Sequence, residues 1–185
     1  AQASAWQAAG QAVRVAVNVS ATQLAAADFV TRVEEALERH TLGARALELE
    51  ITESAAMQNV EDTVTKLRAL RALGVRVALD DFGTAYSSLT YLKRLPLDVL
   101  KLDQSFVRDL NAADGRAQGL VRAIIELGQS LGLAVVAEGV ETPGQLGLLR
   151  TLGCREAQGY LLARPRSAPE LELRSAAPGV FAGSC

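Results

Sequence analysis

Short apolar runs alternate along this chain with longer segments of helical period. Six of the runs behave as strands: VRVAVNVS, LELEITES, VRVALDDF, VLKLD, AVVAEGVE and EAQGYLLARP. Strand side chains switch faces at every residue, so Val13, Val15, Val17 and Val19 share one face while Arg14, Ala16, Asn18 and Ser20 share the other. The same parity sets Glu48, Glu50 and Thr52 against Leu47, Leu49 and Ile51, and Arg76, Ala78 and Asp80 against Val75, Val77 and Leu79. Each run therefore delivers one polar residue near its C-terminal end: Asn18, Glu50, Asp80, Lys101, Glu138 and Gln158, with Asp81 directly after Asp80. Apolar spacing between the runs predicts helices over residues 23–40, 60–73, 87–95, 116–131 and 142–152. The last is punctuated by Thr142 as N-cap, Pro143 at the first helical position and Gly153 past its end. Thr22, Asp28 and Gly74 read as turn or cap residues, and a final short helix starts at Ser167.

Strand and helix in alternation argue for an α/β domain with a parallel sheet flanked by helices, whose ligands bind at the C-terminal ends of the strands. Whether the sheet closes into a ring or stays an open row is not fixed by periodicity: a row spreads the six polar ends apart, a ring converges them. A closed barrel of eight units typically takes about 250 residues, so a barrel here has about six of its eight βα units. The opening AQASAWQAAG reads as the end of a helix whose strand lies upstream, which points to an N-terminal truncation. Residues 1–175 are assigned to one domain and 176–185 to a loose tail.

Composition narrows the function classes. The chain has 185 residues, 49% apolar and 22% charged, with a formal net charge of -2, as expected of one compact domain. The balance gives no broad basic field for long nucleic acid. No apolar run is long enough to cross a bilayer, and a cytoplasmic placement is expected. Cys154 and Cys185 suggest no disulfide framework; Cys154 reads as a small core residue. Trp6, Phe29, Tyr91 and Phe106 read as packing residues rather than base-stacking ones.

Gathering Glu50, Asp80, Asp81 and Glu138 in one site calls for protons or cations, because two unit charges about 5 Å apart repel by roughly 3 kcal/mol at an effective dielectric of 20. Carboxylates plus the Asn18 carbonyl are oxygen donors suited to Mg²⁺ or Mn²⁺, and the only histidine, His40, falls at a predicted helix end. Asp80 bridging two ions, with Asp81 on the second, would make a two-metal clamp for a phosphodiester. Lys101 would hold the attacking water or the developing charge, Glu138 would accept its proton, and Gln158 would hydrogen-bond nearby. The structural alternatives are a strand-terminating turn at Asp80-Asp81-Phe82-Gly83, an internal Lys101–Asp103 ion pair, and a helix entry at Asn18-Val19-Ser20. A Schiff-base lysine is disfavoured, since surrounding acids raise an amine's pKa. Arg14, Glu48 and Arg76 share the inward parity but lie deeper, and are expected to form a supporting ion-pair layer in which Glu48 touches an arginine. Glu53 and Glu141 follow inward glutamates by three residues and are assigned to bracing loops rather than binding ions.

VAVNVS, LELEITES, LDDFGTAYSSLTYLKRLPLDVLKLDQSFV, VVAEGVET and QGYLLARP together resemble the EAL domain family of cyclic di-GMP phosphodiesterases, over residues 6–171. The resemblance implies a modified TIM-type (β/α)8 barrel that binds two Mg²⁺ or Mn²⁺ ions and hydrolyses cyclic di-GMP to the linear dinucleotide pGpG. It implies Asn18, Glu50, Asp80 and Asp81 as metal ligands, Lys101 and Glu138 as the water-activating pair, and Gln158 as a residue lining the site. Glu53 corresponds to the residue that steadies the loop from Phe82 to Ser88, which in the family links metal binding to dimer contacts. A homodimer and an upstream diguanylate cyclase or sensor domain are the implied partners of the intact protein. Two departures stand out: the name-giving Glu-Ala-Leu strand is absent along with what precedes Trp6, and Ala85 replaces a usual glycine. The first keeps a second function open, that of a non-catalytic cyclic di-GMP receptor or scaffold. A third outcome is a sheet that cannot close and associates through its edges.

Overall fold

The computed structural model describes residues 1–11, 13–84, 89–111 and 115–170. Six strands form a central parallel sheet flanked by helices: β1 (Val15–Val19), β2 (Leu47–Thr52), β3 (Arg76–Phe82), β4 (Val99–Leu102), β5 (Ala134–Ala137) and β6 (Glu156–Ala157). Their order in the sheet is their order in the chain. A doubly wound sheet reverses strand order at a switch point, and no reversal occurs among these strands. Sequential order is that of a partial (β/α)-type barrel.

The chain divides into two compact units, residues 1–80 with 85–98, and residues 81–84 with 99–185. In the first, α1 (Gln2–Ala8) precedes β1, and α2 (Ala21–Ala25) and α3 (Phe29–Arg39) follow it. The single helix expected over 23–40 is thus two, because the chain turns at Ala26 through Asp28, the residue before α3. Ser20, rather than Thr22, caps α2: its hydroxyl accepts from the Gln23 N–H while the Gln23 amide oxygen accepts from the Ser20 N–H. Two helices, α4 (Glu53–Met57) and α5 (Val60–Leu73), follow β2. The bounds of α5 match expectation, since Val64, Leu67 and Leu70 bury one face, Asn59 caps the start and Gly74, at φ +95°, ends it. The short helix α6 (Leu89–Leu92) falls within the expected span 87–95. Buried Ile51, Leu67, Leu70, Val75, Val77 and Leu79 form the core of this unit, each worth roughly 1.5–3 kcal/mol of transfer free energy.

In the second unit, α7 (Gln104–Arg108) follows β4, α8 (Arg116–Ser130) packs on β5, and α9 (Pro143–Thr151) leads into β6. Thr142 caps α9 as expected, with Pro143 in the first turn. Leu100, Leu102, Leu110, Ile125 and Leu149 are fully buried here. Cys154 is also buried, and burial pushes its thiol up to about 11. Ser167 starts a single 3-10 turn, Ala168–Glu170. Of the aromatic residues expected to pack, Phe29 is buried but Tyr91 is 42% exposed, because α6 is a single turn whose buried position is Leu92. The expectations for Ala85 and for the tail from residue 176 fall outside the described residues. Among the described residues no helix is long and apolar enough to cross a membrane.

Candidate metal centre

In the first unit the register sets the candidate donors on one face. Asn18 on β1 lies opposite Glu50 on β2, Glu50 lies opposite Ala78 on β3, and Asp80 lies opposite Thr52. Facing residues on neighbouring strands point the same way about 4.8 Å apart, and Asp80 is one pleat beyond Ala78. Asn18, Glu50 and Asp80 therefore share a face at the C-terminal ends of three consecutive strands. Glu50 is 8% exposed, whereas Asn18 on the outer strand is exposed. The deeper layer is present as expected: Glu48 reaches Arg76 at 3.3 Å and Arg14 at 4.0 Å.

β3 continues through Phe82, and the chain turns at Gly83 and Thr84. Asp81 adopts a left-handed backbone, φ +54°, a conformation that costs most L-residues about 1–2 kcal/mol and that aspartate tolerates best with asparagine. Its carbonyl accepts from both the Thr84 N–H (3.3 Å) and the Thr84 hydroxyl (2.9 Å). Between them Gly83, at φ +96°, leaves room for the Phe106 ring, which a Cβ there would meet at 2.6 Å. The turn reading of Asp-Asp-Phe-Gly is correct, and the turn is what aims the second carboxylate. Asp80, Asp81 and Glu138 each offer a carboxylate oxygen, all within 4.8 Å of one another. At that spacing each pair of charges repels by roughly 3 kcal/mol at an effective dielectric of 20. One countercharge is in place: the Lys101 ammonium, buried to 4% exposure, lies 2.7 Å from Glu138 Oε1. The remaining negative charge and the all-oxygen donor set fit a hard divalent cation.

Glu138 is held by its backbone. Its N–H donates to the Leu102 carbonyl at 3.1 Å, extending the β4–β5 ladder by one rung. The next residues are pinned to the end of β6: Gln158 N–H donates to Ala137, and Val140 N–H to Gln158. Gly159 passes so close to the Val140 backbone that a Cβ would overlap it. Among the described residues, Gln158 hydrogen-bonds through its main chain. Sequence reasoning missed Gln145, buried at 6% exposure on α9. Its Oε1 accepts from the Glu141 and Thr142 N–H groups at 2.9 and 3.0 Å, and its Nε2 donates to the Val107 carbonyl at 3.3 Å. The signal was the capping box Thr142-x-x-Gln145. The Glu141 backbone is braced in this way, while its side chain is exposed. Glu53 opens α4 at 1% exposure, behind the Thr52 cap. Asp103 does not serve Lys101; it caps α7 by accepting from the Ser105 N–H at 2.9 Å.

Asp80, Asp81 and Glu138 form one group of carboxylates, Lys101 pairs with Glu138, and Asn18 lies beside Glu50. Glu50 lies outside the group of three carboxylates. The letters Glu-Ala-Leu do occur, at Glu35-Ala36-Leu37, but on helix α3 with Glu35 exposed, not at a strand end.

The chain is 52% identical over 160 residues to cyclic di-GMP phosphodiesterase NbdA of Pseudomonas aeruginosa, covering 86% of this chain and 20% of that protein. It is 49% identical over 157 residues to the bifunctional diguanylate cyclase/cyclic di-GMP phosphodiesterase MucR of the same organism, covering 85% and 23%. Thus it spans about a fifth of the length of these curated relatives. Among solved structures, the PaMucR phosphodiesterase in complex with c-di-GMP superposes with a TM-score of 0.87 at 47% identity, covering 91% of this chain and 68% of that one. The Klebsiella pneumoniae BlrP1 manganese/cy-diGMP complex gives 0.79 at 33% identity, covering 89% and 42%. The EAL domain model matches residues 1–165, and the chain belongs to the EAL domain family.

Proposed function

We propose that this chain is the larger part of a domain that hydrolyses cyclic di-GMP to linear pGpG, with two Mg²⁺ or Mn²⁺ ions held at the C-terminal ends of its strands. The observation that carries this reading is the three-carboxylate cluster with a lysine salt-bridged to one member. The relatives named as cyclic di-GMP phosphodiesterases, and the BlrP1 complex with manganese and cyclic di-GMP, supply the substrate and the metal class.

Asp80 and Asp81 would hold the cations, with Glu50 and the Asn18 carbonyl completing the donors from the neighbouring strands. Bound divalent ions supply Lewis-acid stabilisation of the phosphodiester and a lower pKa for water. Lys101 orients the attacking water and faces the charge that develops on the phosphoryl oxygens. Glu138 accepts the water's proton, with the Lys101 ammonium 2.7 Å from its carboxylate. Gln158 lines the site, and Glu53 and Glu141 steady the loops around it. The intact protein is read as a cytoplasmic homodimer with an upstream cyclase or sensor domain.

The test is incubation of this chain with cyclic di-GMP and Mg²⁺ or Mn²⁺, with product separated by chromatography. Metal-dependent formation of linear pGpG that is lost in Glu138→Gln supports the proposal. Saturable cyclic di-GMP binding with no turnover supports the receptor reading instead.

A further inference from the structure

The opposite ends of the same strands carry a second charged cluster. A cavity of about 260 Å³ opens among Arg14, Arg45, Arg71 and Arg76, with Gly74 and Asp98 on its wall. Arg14 lies just before β1, Arg45 sits in the turn leading into β2, Arg76 opens β3, and Arg71 lies in the last turn of α5. Arg76 and Asp80 are the first and fifth residues of β3, so about 13 Å of strand separates the cavity from the metal centre. The two sites do not share a residue.

A bottom layer of ion pairs is a familiar stabilising device in parallel barrels, but this one does not balance. Of the carboxylates here, Glu48 serves both Arg14 and Arg76, and its contact to Arg14, at 4.0 Å, is too long for a hydrogen bond. Asp98 is fully committed: one oxygen meets Arg71 at 3.0 Å, the other accepts from the Val77 N–H at 2.9 Å. Arg45 is exposed and makes no ion pair among the described residues. Four guanidinium groups against two carboxylates leave a local charge of +2 on a chain whose formal net charge is -2. Each guanidinium presents five N–H donors in a rigid fork, and few of these are used here. Planar forks converging on a concave site match the oxygens of a phosphate group better than any neutral ligand.

We infer that this cavity is a binding site for a phosphate-type dianion, either inorganic phosphate or pyrophosphate, or the phosphate end of a nucleotide. Arg45, and the Arg71 N–H groups that do not meet Asp98, supply the donors, while Glu48 contacts Arg14 and Arg76. Occupancy would neutralise the surplus charge at the foot of β1–β3 and couple ligand level to the stability of the strands that carry Asn18, Glu50 and Asp80 at their other ends. The inference stands apart from the reading of the metal centre.

Isothermal calorimetry and thermal denaturation of the full chain, with EDTA present to remove metal-mediated binding, test it. Pyrophosphate, inorganic phosphate and guanosine monophosphate are the probes, with chloride at matched ionic strength as the control. Saturable binding of at least one phosphate probe, weakened fivefold or more in Arg45→Ser and further in the Arg45→Ser/Arg71→Ser pair but unchanged in Asp81→Asn, supports the site. Arg45 is exposed and makes no ion pair among the described residues, so its variant keeps the fold; circular dichroism checks this. Pyrophosphate and phosphate binding without a gain from guanosine monophosphate identifies the free anion as ligand, and the reverse identifies a nucleotide. No saturable binding, equal affinity in Arg45→Ser, or loss of binding in Asp81→Asn overturns the inference.

Discussion

Strands β1 and β4 are written in the same code, apolar residues alternating with a polar residue near the C-terminal end, yet they meet different surroundings. All four residues of β4 are buried, and its polar member, Lys101, is 4% exposed with Glu138 at 2.7 Å. On β1, Val17 is 43% exposed and Asn18 is exposed as well. The difference is position in the sheet. β4 has a neighbour on each side, whereas β1 stands at the end of the strand order. A polar residue between two strands arrives with its partner built in; one on the outer strand has half of its surroundings supplied by solvent.

The largest expected effect lies at β4. Lys101→Met removes the ammonium 2.7 Å from the Glu138 carboxylate, at a cost of about 3–5 kcal/mol in urea denaturation. The Lys101→Met/Glu138→Leu pair should recover most of that loss, since an apolar pair replaces a buried ion pair at little cost. A single variant within about 1 kcal/mol of the parent chain would remove the contrast with β1. Gln145→Leu comes next. It strands the Glu141 and Thr142 N–H groups, costing about 1–3 kcal/mol, and hydrogen exchange should quicken at those two amides and leave β1 unchanged.

How much of this was legible in the sequence follows the same division. Parity along each strand placed Asn18, Glu50 and Asp80 on one face, and the register bears this out. The α5 helix was read to the residue because apolar positions at helical spacing and a terminal glycine agree; the Asn59 cap was not read from the sequence. The five-residue helices α4 and α7 were missed because they are too short to show a period. The break at Ala26–Asp28 was missed although Asp28 reads as a turn or cap residue, because Ala26 and Ala27 before it carry no turn signal and leave the helical pattern unbroken. Asp103 was the nearer carboxylate to Lys101 in sequence, but β4 ends at Leu102, so alternation no longer governs the next residue. No pattern of letters announces a left-handed aspartate, and Asp81 owes its aim to Gly83, Thr84 and the distant Phe106.

Cys154 sharpens the comparison through pH. Burial raises its thiol from 9.0 to about 11, so the folded chain prefers the protonated form. That preference is fully present below the unfolded value and is lost as pH climbs toward the folded one. Stability should fall by about 1.4 kcal/mol per unit between these limits, and Cys154→Ala should flatten the slope. The smallest effect belongs to β1: Val17→Thr, already exposed, should change stability by less than about 0.5 kcal/mol.

The central claim is that strand-end carboxylates capture divalent cations. Calorimetric titration of Mn²⁺ into the parent chain and into Asp81→Asn tests it most directly. The account predicts saturable binding weakened at least tenfold by that one substitution, with denaturation curves unchanged in the absence of metal. Absent binding, or equal binding in both chains, would contradict it.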